Sequence, residues 1–158
     1  MKKNRRILIM GLPGSGKSFL AKELNKRLKA NWLNADEVRK KFNDWDFSKK
    51  GVLRQAKRMR SLAGKSKKNF VIADFVCPYE EGRKIFKPDY LIWMDTIKQG
   101  RLSTFDKTFQ KPKKFDFKIN SKNVKLYSKL IYNKIKNRST TNILKKPRSL
   151  GKLKKFKK

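Results

Sequence analysis

The chain has 158 residues, enough for one domain with its own core, and carries 45 lysines and arginines against 12 aspartates and glutamates. No apolar run approaches the roughly 18 residues that span a bilayer, and the run at Ile7 to Met10 is too short for a secretory signal. One cysteine, Cys77, cannot form an internal disulfide, and the absence of histidine argues against structural zinc. We therefore expect a cytoplasmic protein without a membrane partner.

Short apolar runs alternate with helical periodicity along most of the chain. The predicted strands are Arg5–Met10, Trp32-Leu33, Phe70–Val76, Tyr90–Met94 and Phe115–Ile119. The predicted helices are Ser18–Ala30, Glu37–Phe42, Lys49–Ser66, Glu80–Phe86 and a last one carrying Val124 to Ile135. Such alternation predicts an α/β fold in three layers, with a central parallel sheet between helices.

Two segments lack this periodicity. Residues 100–112 contain Gly, Thr, Lys and Pro and are predicted to be a mobile loop. From Arg138 onward the chain is rich in Lys, Ser and Asn, which predicts a disordered tail at 138–158 after a domain at 1–137. Between Lys113 and Lys158 there are seventeen basic residues and one acid. A solvated lysine-rich surface explains this charge more simply than dedicated nucleic-acid binding, which stays open as a secondary role of the tail.

One motif, Gly-Leu-Pro-Gly-Ser-Gly-Lys-Ser at 11–18, carries specific chemistry because it lies between a predicted strand and a predicted helix. Its glycines let successive backbone N–H groups face phosphate oxygens, and the helix adds its positive end. Lys17 brings a cation to the β- and γ-phosphates, and the Ser18 hydroxyl suits Mg²⁺. The predicted ATP-binding residues are Gly11, Pro13, Gly14, Ser15, Gly16, Lys17 and Ser18. At this length, a kinase with a small acceptor is the economical interpretation of the P-loop.

Three carboxylates fall near predicted strand ends, where the ligands of an open α/β sheet gather: Asp36, Asp74 and Asp95. Each could orient Mg²⁺ or accept the proton of an attacking hydroxyl. We favour Asp36, which also has the position of a helix N-cap, because Arg39 follows one turn later on the same face. The nearby Phe47 could stack on a purine or simply belong to the core.

Together these segments resemble adenylylsulfate kinase (APS kinase), in the compact form of marine bacteria and phages. Besides the P-loop, the matching stretches are Leu33–Arg39, Phe42-Asn43, Asp46–Ser48, Gln55–Arg60, Asp74–Tyr79, Trp93–Ile97 and Gly100-Arg101. The resemblance spans about residues 5 to 135.

The resemblance implies a P-loop kinase of sulfate assimilation that converts ATP and adenylyl sulfate to ADP and 3′-phosphoadenylyl sulfate. By position, Asp36 would serve Mg²⁺ or the 3′-hydroxyl, while Arg39, Asn43 and Arg58 would hold the phosphosulfate and Phe47 would stack near the adenine. Residues of about 98–112 would form a lid that excludes water. The family also suggests a homodimer.

The chain departs from the family pattern at several positions. Asn34-Ala35-Asp36 replaces the common Asp-Gly-Asp, and Cys77-Pro78 replaces a Ser-Pro step, so a phosphoserine intermediate is unavailable. Cys77 is instead expected to be a small buried residue. Val52 stands where Arg is usual and Gln55 where Asn is common. Rival hypotheses are another small-molecule or nucleotide kinase, a polynucleotide kinase, and a non-enzymatic nucleic-acid-binding protein.

Overall fold

The computed structural model of the chain describes residues 3–100 and 103–141. Its strands are β1 (Arg5–Met10), β2 (Asn31–Asn34), β3 (Phe70–Asp74), β4 (Tyr90–Met94) and β5 (Phe117–Ile119). Its helices are α1 (Lys17–Leu28), α2 (Ala35–Phe42), α3 (Lys49–Gly64), α4 (Glu80–Phe86), α5 (Ser103–Thr108) and α6 (Val124–Thr141). Among these described residues, no helix has the length and apolar character needed to cross a membrane.

The five strands form one parallel sheet in the order β2-β3-β1-β4-β5. β1 is central, and the chain passes first to one side of it and then to the other. The loops that follow β1 and β3 therefore diverge at the carboxyl edge of the sheet, which is where ligands of such sheets bind.

Side chains alternate along β1 and divide the core between the two faces of the sheet. Ile7 and Ile9 join a buried cluster with α1 and α6, while Leu8 and Met10 join a second one with α3 and α4. Both faces of the central strands are covered, which explains their continuous apolar sequence. The predicted three-layer α/β fold is confirmed.

Several boundaries differ from the predicted ones. The N-cap of α2 is Asn34, whose Oδ1 accepts a hydrogen bond from the Glu37 N–H at 3.1 Å; the prediction that placed Asp36 there is wrong. The segment predicted to be an irregular loop contains α5. α6 continues to Thr141, four residues past the domain boundary predicted at 137. Residues 142–158 of the predicted tail lie outside the described residues.

Candidate active site

The phosphate-binding loop requires glycine at two positions for different reasons. Gly11 has a φ of +154°, and a Cβ there would lie 2.6 Å from the Met94 carbonyl oxygen, so β4 leaves no room for a side chain. Gly16 is the N-cap of α1 with a φ of +97°, and no side chain caps the first N–H groups of that helix. Those uncapped groups, at the positive end of α1, form a site for an anion.

Three hydrogen bonds hold the carbonyl oxygens of this loop. The Thr96 hydroxyl donates to the Ser15 carbonyl at 2.7 Å, and the Lys122 ammonium donates to the Gly14 carbonyl at 3.3 Å. The Lys17 ammonium donates to the Leu12 carbonyl at 2.9 Å. These three donors bind the carbonyl oxygens and hold the loop in one conformation. The glycines allow the backbone angles that this conformation needs.

A cavity of about 600 Å³ opens beside this loop at the carboxyl edge of the sheet. Eight of the residues predicted for the site line it: Pro13, Gly14, Gly16, Lys17, Ser18, Asp36, Arg39 and Phe47. Four others do not. Gly11 and Ser15 are buried in the loop, Asn43 is the exposed C-cap of α2, and Arg58 lies on the far side of Gln55.

Asp74, which was weighed as a candidate but ranked below Asp36, is the buried carboxylate of the cavity. Its oxygens accept hydrogen bonds from Trp32 Nε1 at 3.3 Å and from Asn34 Nδ2 at 3.1 Å. Burial raises the pKa of Asp74 to about 6, against the opposing effect of these donors. Asp36 lines the same cavity and is exposed, whereas Asp95 pairs with Lys118 at 3.4 Å outside it.

Arg39 is a buried cation in the cavity wall, only 5% exposed. Its Nη1 donates to the Asp44 and Asp46 carbonyls at 2.9 and 3.2 Å, and its guanidinium lies 4.6 Å from the ring centre of Phe47. It makes no ion pair with any described carboxylate, and burial lowers the pKa of its guanidinium. A buried charge whose direct contacts are carbonyls and a ring, with carboxylates acting on it only from a distance, suits an anionic ligand.

Arg58, which the resemblance assigns to the phosphosulfate, is bound within the protein together with Arg54, its neighbour on α3. Arg54 and Arg58 both donate to the Asp44 carboxylate, at 2.8 and 2.9 Å, and Arg58 also donates to Gln55 Oε1 at 2.7 Å. These donors hold the pKa of Asp44 well below its usual range. The cluster fixes the loop after α2, whose carbonyls in turn position Arg39.

Sequence reasoning missed several of the residues that line the cavity. Phe19, directly after the motif, is 68% exposed and lines the cavity together with Lys122, from the loop before α6, and Val124, the first residue of α6. Phe19 could have been predicted to lie at a ligand site, because it is a large apolar side chain on the exposed face of α1. Cys77 also lines the cavity; it is buried, and burial raises the pKa of its thiol to about 12, as expected for a structural cysteine.

The end of the predicted lid is fastened to the loop after β3. The Gln110 N–H donates to the Pro78 carbonyl at 2.7 Å, and Gln110 Oε1 accepts from the Glu80 N–H at 2.8 Å. The buried Arg83 donates to the Gln110 carbonyl and, at 3.1 Å, to the Cys77 carbonyl. Phe105 of α5 reaches the cavity and meets Phe47 edge-on, with ring centres 5.9 Å apart.

The donor set fits Mg²⁺ bound together with a nucleotide. The described residues contain no group of three acidic, histidine or cysteine side chains that would hold a metal by themselves. The Ser18 hydroxyl and the carboxylates of Asp36 and Asp74 nevertheless line one cavity, and Mg²⁺ commonly takes one or two such oxygens besides phosphate and water.

The chain is similar to known proteins in sequence over part of its length and in fold over most of it. A family model described as an AAA domain matches residues 7–84, and no curated protein matches the sequence. The APS kinase of Mycobacterium tuberculosis, solved with AMPPNP and APS, superposes with a TM-score of 0.75 at 17% identity, over 86% of this chain and 99% of that one.

Kinases named for other acceptors also superpose on the chain. The shikimate kinase of Acinetobacter baumannii, solved with shikimate, has a TM-score of 0.56 at 16% identity over 91% of this chain and 97% of its own. A gluconokinase of Sinorhizobium meliloti has a TM-score of 0.59 at 11% identity, over 88% of this chain and 99% of its own. The chain has the P-loop kinase fold.

Proposed function

We propose that this chain is an ATP-dependent kinase that phosphorylates the 3′-hydroxyl of adenylyl sulfate to give 3′-phosphoadenylyl sulfate. The observation that carries the proposal is the buried guanidinium of Arg39, which shares one cavity with Lys17 and has no carboxylate partner among the described residues. Burial still outweighs the favourable effect of the nearby carboxylates of Asp44, Asp36 and Asp46 on this cation, and an anionic acceptor in direct contact would offset that cost on binding. The structural likeness to an APS kinase that holds both substrates agrees with this acceptor.

In this proposal the phosphate loop and its edge bind ATP. Backbone N–H groups and the start of α1 hold the phosphates, and Lys17 leaves the Leu12 carbonyl to reach the β- and γ-phosphates. The exposed ring of Phe19, with Val124 and the stem of Lys122, provides an apolar surface for the base.

Arg39 and Phe47 make the direct acceptor contacts in this proposal. The guanidinium binds the phosphosulfate, and the ring of Phe47, supported edge-on by Phe105, faces the adenine. Asn43 and Arg58 lie outside the cavity, so we assign them to the loop that positions Arg39 rather than to the ligand.

The reaction needs alignment and charge stabilisation rather than a covalent intermediate. The 3′-hydroxyl attacks the γ-phosphorus in line while Lys17 stabilises the charge on the transferred group. Asp36 or Asp74 takes the hydroxyl proton, and Asp74 suits this role because its pKa of about 6 lies near the working pH. Mg²⁺ held by Ser18 and Asp36 would neutralise phosphate charge. Closure of the lid would exclude water.

A coupled ADP-release assay with several acceptors tests the proposal. We expect turnover with adenylyl sulfate and none above background ATP hydrolysis with shikimate, gluconate, AMP or an oligonucleotide with a 5′-hydroxyl end. Turnover with another acceptor of this set, and none with adenylyl sulfate, would refute the acceptor while keeping the kinase. Lys17→Ala should abolish activity on whichever acceptor is used.

Two arginine variants separate the acceptor site from its support. Arg39→Gln should raise the KM for adenylyl sulfate by about 10- to 100-fold, because it removes a charge-assisted contact worth about 1.5–3 kcal/mol. Arg54→Gln is the matched control, since Arg54 belongs to the same cluster but is exposed and lies outside the cavity. Its KM should change less than about threefold. Equal effects of the two variants would contradict a direct role for Arg39.

A further inference from the structure

A second cleft lies at the opposite edge of the sheet from the phosphate loop. It has a volume of about 340 Å³ and is lined by Leu28, Lys29, Lys67, Lys68, Asn69, Phe70 and Lys136. Its four lysines come from three parts of the chain: the end of α1, the loop before β3, and α6. Phe70 begins β3, whereas the active site follows the end of that strand, so the two cavities do not share residues.

Three of the four lysines of this cleft form no ion pair within the described part of the protein. No carboxylate lines it, and none of the ion pairs found in the described residues involves Lys29, Lys67 or Lys68, all of which are exposed. The Lys136 ammonium lies 5.6 Å from the ring centre of Tyr132 and 6.0 Å from that of Phe70. Because the four lysines line one cleft, their charges repel one another, and a bound anion would relieve that repulsion.

Further basic residues accompany this lysine cleft. The Arg5 guanidinium lies 5.6 Å from the ring centre of Phe70. Arg138, near the end of α6, is already paired with Asp116 at 3.3 Å and adds little net charge. Residues 142–158, which follow α6 in the sequence, include eight lysines and arginines among 17 residues and no acid. This many basic residues fit a polymer with many phosphates better than a single small anion.

We propose that the lysine cleft binds the sugar–phosphate backbone of nucleic acid, independently of base sequence. An anionic membrane fits less well, because the cleft is concave and lacks an apolar anchor. The exposed large apolar side chains of the described residues are Phe19, Phe42, Trp45 and Leu126, and none of them lines it. This binding goes beyond the proposed kinase activity and does not depend on it.

Two triple variants of the full chain test this cleft at equal net charge. K29Q/K67Q/K68Q removes three cleft charges, and K57Q/K84Q/K129Q removes three exposed charges elsewhere on α3, α4 and α6. Binding of a fluorescein-labelled 20-nucleotide oligothymidylate is followed by fluorescence anisotropy at several NaCl concentrations. Loss of three phosphate contacts should reduce the slope of log K against log[NaCl] by about 2 in the cleft variant and weaken binding at 0.1 M salt about tenfold or more.

The control variant should keep the slope and weaken binding less than about threefold, because it changes only the long-range field. Both variants should keep the melting temperature and the ATP-dependent activity of the parent on its small acceptor. Equal losses in the two variants would overturn the proposal, since net charge alone would then explain binding. It would also be overturned if the cleft variant lost affinity for vesicles with 30% phosphatidylserine but kept its affinity for the oligonucleotide.

Discussion

At the scale of single residues, Asn34 and Asp74 explain one departure of the chain from the APS kinase pattern. The Asn34 amide caps α2 through Oδ1 and donates to Asp74 through Nδ2, so one side chain satisfies both neighbours. An aspartate at this position would set two carboxylates side by side, and each would oppose ionisation of the other. The cavity therefore has two carboxylates, Asp36 and Asp74. The Asn34 amide takes the place of the third carboxylate that the APS kinase pattern would supply.

The raised pKa of Asp74 has a consequence for stability that depends on pH. Between about pH 4 and pH 6 the folded state holds a proton that the unfolded state has lost, so the free energy of unfolding falls as pH rises through this window. Between pH 4 and pH 6 we expect the free energy of unfolding of the wild type to fall by about 3 kcal/mol more than that of Asp74→Asn. Urea unfolding of both proteins from pH 4 to pH 8 measures the difference. If the free energies of unfolding of the two proteins changed in parallel with pH, burial would not raise the pKa of Asp74.

At the scale of elements, the sequence predicted the sheet better than the site. Each strand and long helix was recognised because its apolar period continues over several residues, as in β1 and α3. The family resemblance grouped Arg58 with the acceptor residues, and neither that resemblance nor sequence spacing reveals that Asp44, fourteen positions away, binds it. The short α5 was missed because six residues give too little periodicity to distinguish a helix from a loop.

The attachment of the lid is a prediction at this scale. Gln110→Ala removes the acceptor of the Glu80 N–H at the start of α4. Loss of one hydrogen bond of about 1 kcal/mol should increase transient opening of the lid end about fivefold. Limited trypsin digestion, with cleavage after Lys107 followed by mass spectrometry, measures that opening.

Gln99→Ala is the matched control, because Gln99 is an exposed glutamine at the start of the lid, away from α4. It should digest at the wild-type rate. If Gln110→Ala also digested at that rate, the hydrogen bond to α4 would not hold the lid.

At the scale of the whole molecule, the parallel sheet separates the two regions that we propose bind anions. The phosphate loop follows the carboxyl end of β1, and the lysine cleft lies near the amino ends of the strands, about 20 Å away along a six-residue strand. Both regions add positive charge to a chain whose net charge is already +33. The fold therefore works against a strong self-repulsion that its apolar core must offset.

This self-repulsion predicts how salt affects stability. Raising NaCl from 10 to 150 mM shortens the screening length from about 30 to about 8 Å, which weakens repulsion between distant lysines more than attraction within close ion pairs. We expect the melting temperature to rise by about 3–6 °C, equivalent to about 1–2 kcal/mol for a chain of this size. A fall would mean that ion pairs such as those of Asp44 outweigh the net charge. Sodium sulfate at matched ionic strength separates screening from site binding, because an anion held by the phosphate loop or the lysine cleft would raise the melting temperature further.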